Sequence, residues 1–182
     1  MRALALVMAM SATALAAPPK PVSRAEREKI IAARQAALPP VDQTKVARCQ
    51  TFLDAYNKDP AHGDDQVVQA ARCFADAGAL SAAMTAWRIV VKYQPTKPAA
   101  KAAMRELGGL YERAADFADA AQWDENYWGR YSSEPDAKQK LVRAACIRFQ
   151  LGDALATRDV ARLHADANTL CDSIHPIELP TP

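Results

Sequence analysis

The stretch Asp64–Pro98, DDQVVQAARCFADAGALSAAMTAWRIVVKYQPTKP, reads as two helices and the turn between them. Asp64 and Asp65 place negative charge on a first helical turn, where unpaired amides and the helix dipole favour it. Gly78 is the residue best able to take the left-handed conformation that ends a helix. A second helix runs from about Leu80 to Tyr93, where Gln94-Pro95 breaks it. Small Ala71 and Ala83 let the two helices approach closely, while Phe74 and Trp87 fill the space beside them. One helix pair cannot bury its apolar face alone, so it must stack on neighbours.

The neighbours are visible as a period of 37 residues. Val67, Met104 and Leu141 are one period apart, as are Ala71, Gly108 and Ala145; Phe74, Tyr111 and Arg148; and Gly78, Ala115 and Gly152. Such self-similarity marks a repeat architecture. Downstream, Pro98 suits the first position of a helix to about Ala114, and Asp116 caps another to about Tyr131. Ser132 to Pro135 then separates that pair from a helix ending at Gly152. A last helix carries Ala156, Val160, Leu163, Ala167, Leu170 and Ile174 as one apolar stripe. Upstream, Ser23 and Glu26 form a capping box for a helix to about Leu38, stopped by Pro39-Pro40. Asp42 caps the next, with Val46, Cys49, Leu53 and Tyr56 on its apolar face. The proline-rich residues 176–182 read as a flexible tail.

These residues resemble the tetratricopeptide repeat family. In Asp64 to Pro98 the small, aromatic, turn and closing positions of that pattern fall on Ala71, Phe74, Gly78, Ala83, Trp87 and Pro95; the next unit matches at Leu107, Gly108, Tyr111 and Ala120. It departs at Asp124, where the pattern wants a bulky apolar residue that Trp123 and Tyr127 would replace from either side. The third unit keeps Ala145 and Gly152 but has Arg148 and Thr157 at an aromatic and a small site. Phe52 and Pro60, 35 residues before Trp87 and Pro95, suggest a degenerate first helical pair over residues 23–60 ahead of the repeats at 64–175. The resemblance implies an all-α fold, a right-handed α-solenoid of about three to four helix-turn-helix repeats.

Residues 1–16 read as a signal peptide: Arg2 precedes the apolar run Ala3 to Ala16, and Ala14 and Ala16 supply the small residues of a cleavage site. That run is too short to be a membrane-spanning helix, which requires roughly 20 residues. Cleavage after Ala16 leaves residues 17–22 as a linker and no cysteine to carry a lipid. The expectation is an exported protein, periplasmic or secreted, without stable membrane insertion. The formal charge of +2, with acids and bases interleaved, gives no electrostatic case for nucleic acid.

Four cysteines in an exported chain favour two disulfides. Cys49 and Cys73 lie nearly equidistant from a turn around Ala61, so antiparallel helices bring them level. Cys146 and Cys171 are similarly separated, but a turn at Gly152 leaves them several residues out of level; parity argues for that bridge and local geometry against it. Cys171 and His175, with His164, are the only hint of a metal or small-ligand module, and their spacing matches no standard zinc site. No phosphate loop or nucleophile elbow is present, and His62, His164 and His175 form no acid-base pair. The chain is therefore expected to be no enzyme and to hold no cofactor or metal.

The resemblance implies a scaffold or adaptor for a peptide or another protein, since the first helix of each unit lines the concave face in that family. By register the lining candidates are Arg72, Asp76, Arg105, Glu112, Arg113 and Phe149. Arginines there can fork onto a partner's carboxylate, and Phe149 can add an apolar contact. A second surface is the helix crowded with Trp123, Tyr127, Trp128 and Tyr131, more aromatic faces than one stripe buries. A role in envelope assembly or cell division is the alternative within this class.

Overall fold

The computed structural model of the chain describes residues 22–61, 63–152 and 171, and its helices are α1 (Arg24–Ala36), α2 (Gln43–Lys58), α3 (Asp64–Asp76), α4 (Leu80–Tyr93), α5 (Pro98–Arg113), α6 (Phe117–Tyr131) and α7 (Ala137–Gln150). No strand occurs among the described residues. The signal peptide, the last helix and the tail expected from sequence lie outside them, except for Cys171. No helix among the described residues is long and apolar enough to cross a membrane.

Local chemistry sets the helix starts. Ser23 accepts a hydrogen bond from the Glu26 amide (3.3 Å), Asp42 from Lys45 (2.9 Å) and Asp116 from Asp119 (3.4 Å). Each satisfies an amide without an intrahelical partner. The α5 start is Pro98, whose missing N–H costs nothing there. From α2 to α7 each helix packs on the next in sequence. Ala71, Phe74, Ala83, Trp87, Leu107, Tyr111 and Ala120 are all buried in one core. Cys49 and Cys73 are bonded across α2 and α3, with Cα atoms 5.4 Å apart. Cys146 and Cys171 are bonded as well, 5.5 Å apart at Cα, so the parity argument holds over the turn argument.

The turns after α3, α5 and α7 share one geometry. Gly78, Ala115 and Gly152, one sequence period apart, have φ of 75°, 60° and 84°. In the first two, the amide after the left-handed residue reaches back to the register aromatic: Ala79 to Phe74 O (2.9 Å) and Asp116 to Tyr111 O (2.8 Å). That closure satisfies carbonyls the helix leaves open. Ala115 is the one described non-glycine residue with positive φ, a conformation that costs an L-residue about 1–2 kcal/mol. Ala115→Gly should therefore raise the unfolding free energy by ~0.5–1 kcal/mol after loss of the buried methyl, read from a urea titration with disulfides intact.

Helix α1 corrects the expected first helical pair. It does not pack on α2 as a hairpin partner; it runs across the row of turns. The linker at Pro39, Pro40 and Val41 lies against Gly78, Ile31 and Gln35 face Ala114 to Ala118, and Arg27 reaches the end of α7 at Leu151 and Gly152. A two-proline linker redirects the chain instead of folding it back.

Candidate functional site

Opposed charges join α5 to the segment that opens α7. Along one face of α5, Lys101 pairs with Glu134 (2.9 Å), Arg105 with Asp136 (2.8 Å) and Glu112 with both ends of the Arg143 guanidinium (Nε to Oε2, 2.8 Å). The order positive, positive, negative on α5 meets negative, negative, positive opposite it. Between α6 and α7, Asp124 receives Lys140 Nζ (2.7 Å), and Glu125 receives the Arg148 guanidinium. Tyr127 donates its hydroxyl proton to Asp136 Oδ1 (3.0 Å), so that carboxylate holds both Tyr127 and Arg105.

Between α5 and α7 these pairs border an open cleft of about 300 Å³ lined by Arg105, Glu106, Asp136, Gln139, Lys140 and Arg143. Arg105, Asp136, Lys140 and Arg143 in its wall are tied to fixed partners, which lowers the entropy lost when a ligand meets them. The Glu112–Arg143 fork leaves the remaining guanidinium face available for further contacts in the cleft.

Of the residues expected to line a partner site, Arg105 lines the cleft and Glu112 orients Arg143 beside it. Arg113, Arg72 and Asp76 are exposed. The Asp76 carbonyl also accepts Lys45 Nζ (3.3 Å), linking α3 to α2. Phe149 is a correction: it is 6% exposed and packs with Val142, Ala145, Cys146 and Cys171, because the second disulfide gives its ring an apolar seat. The aromatic surface on α6 is also reduced. Tyr127 is buried, and Trp123, Trp128 and Tyr131 are half-buried around Met104 and Ala137.

Sequence reasoning misses Asp136, Gln139, Lys140 and Arg143 as site residues. The signal that could find Asp136 and Arg143 is a pair of opposite charges at one common spacing, Arg105 to Asp136 and Glu112 to Arg143. Asp124 stands out in the sequence only as a departure from the repeat pattern. It is 2% exposed and sits against Gly108, where the absent side chain makes room for the carboxylate.

Burial pushes the Asp124 carboxyl above its ordinary value of 3.8, against the opposing pull of Lys140. Burial, then the hydrogen bond to Asp136, pushes the Tyr127 phenol up to about 12, so it remains a donor. The Asp124 carboxylate is occupied by Lys140. A raised folded pKa means the folded state holds its proton more tightly than the unfolded chain. The stability of the protein relative to Asp124→Asn should therefore be highest below pH 3.8 and fall as pH rises through the raised value, measured by denaturation at each pH.

No group of three or more metal-ligating side chains occurs among the described residues. Cys146 and Cys171 are joined to each other, which removes the thiolates that a metal site there needs; His164 and His175 lie outside the described residues. No known protein family matches this chain, and there is no match among curated proteins or solved structures.

Proposed function

We propose that this chain is a non-enzymatic, exported scaffold that holds a peptide or another exported protein in the cleft between α5 and α7. The sequential packing from α2 to α7 and the shared turn geometry support reading α3 to α7 as part of a right-handed, tetratricopeptide-like solenoid. Two disulfides support an oxidising compartment, periplasmic or extracellular.

The observation that carries the reading is the cleft wall itself. Arg105, Lys140 and Arg143 converge there, each held by a carboxylate partner, beside Gln139. Fixed guanidinium and amide donors suit backbone carbonyls and carboxylates of an extended partner segment. The test is a quantitative pull-down from the exported fraction, comparing the native protein with Arg105→Ala/Gln139→Ala. Proteins retained by the native chain and lost at least fivefold by the variant are expected; identical sets would overturn the cleft as the site. An assembly or division factor of the envelope is one such partner context.

A further inference from the structure

One face of α1 carries its contacts with the turns at Phe117 and Leu151. Arg27, Ile30, Ile31 and Arg34 stand at i, i+3, i+4 and i+7. Arg27 Nη1 donates to the Leu151 carbonyl at the end of α7, a cation where the helix dipole and open carbonyls favour one. Ile30 is 4% exposed within the main core. The Arg34 guanidinium lies over the Phe117 ring, 5.3 Å from its centre, within the range of cation–π attraction. Ile31 and Gln35 border, with Met84, Phe117 and Leu151, a gap of about 350 Å³ that α1 leaves unfilled.

We propose that the turns at Ala115 and Gly152 form a helix-receiving groove, occupied in cis by α1 while its linker lies against Gly78, that recognises the face Arg27, Ile30, Ile31 and Arg34. Attachment is short and local. The linker amide of Asp42 donates to Ala77 O (3.0 Å), and Leu38 and Val41 stay exposed at 38% and 40%. A short linker supplies an effective concentration of about millimolar, so a seat with one buried isoleucine and two arginine contacts is enough to keep α1 docked. Because α1 joins the turn after α5 to the end of α7, its docking fixes the spacing of the two helices that wall the charged cleft. This inference stands whether or not the cleft binds a partner.

Amide hydrogen exchange on the full chain with both disulfides intact tests it. In Arg27→Ala/Ile30→Asp, the amides of α1 report release of the helix. Turn amides at Ala115, Asp116, Leu151 and Gly152 should then exchange at least tenfold faster, while amides of α2 beside Cys49 keep their rate. A synthetic peptide of residues 22–41, added at millimolar concentration, should restore turn protection; the same peptide carrying both substitutions should not. Native protection of the turns with α1 freely exchanging, or equal effects of the two peptides, would overturn the proposal. Lengthening the linker with Gly-Ser between Pro40 and Val41 leaves every seat residue intact and covers the case in which the double variant fails to fold. There the exchange of α1 and of the turns should rise together; turn rates that stay native while α1 accelerates would contradict the groove.

Discussion

Lys140→Met should lower the unfolding free energy by about 3 kcal/mol, because it leaves the Asp124 carboxylate buried without its cation. The ammonium lies 2.7 Å from Asp124 Oδ1, and the two side chains are 16% and 3% exposed. Protonation of Asp124 limits the loss, since burial already raises that group's affinity for a proton. The double variant Asp124→Leu/Lys140→Met removes both charges and puts the bulky apolar residue of the repeat pattern on α6. It should recover at least half of the loss, as buried ion pairs replaced by apolar side chains often do. Urea titration of the native chain, the two single variants and the double variant, with disulfides intact, gives the coupling directly. A Lys140→Met midpoint equal to that of the native chain would show that the pair contributes nothing.

The neighbouring glycines of α5 should respond to the same substitution with opposite signs. A β-carbon on Gly108 would stand 2.9 Å from Asp124 Cγ and closer still to its Oδ1, whereas one on Gly109 meets nothing within 4 Å. Asp124 cannot retreat without leaving Lys140, so Gly108→Ala should cost about 2 kcal/mol even after the helical preference for alanine is counted. Gly109→Ala gains that preference alone and should stabilise by ~0.5–1 kcal/mol. Equal shifts at the two positions, read from thermal or urea unfolding, would mean that α5 and α6 do not meet at Gly108.

The contrast between those glycines shows where the sequence is informative. The repeat register marks Gly108 as a close-approach position, and punctuation by Gly78, Pro95, Pro98, Asp116 and Gly152 locates the helices from α3 to α7 to within a residue or two. These are local signals, written within a few residues of the feature they determine. Docking of α1 is not legible, because Arg27 meets Leu151 and Arg34 meets Phe117, and nothing near Arg27 or Arg34 announces partners so distant. The burial of Phe149 likewise depends on Cys171, across a segment whose turn the sequence does not place. At Asp124, the repeat pattern asks for an apolar side chain; the buried pair with Lys140 satisfies the same space by charge, which hydrophobic periodicity does not detect.

The proposed scaffold function is tested most directly by placing a photo-crosslinking residue at Gln139, in the cleft, and for comparison at Thr85, exposed on α4. The chain is produced in its native host and irradiated before extraction. A discrete, higher-mass adduct formed from position 139, absent from position 85 and lost when Arg105→Ala is introduced, is the predicted result. Adducts of equal yield from both positions, or none from position 139, would contradict a partner held between α5 and α7.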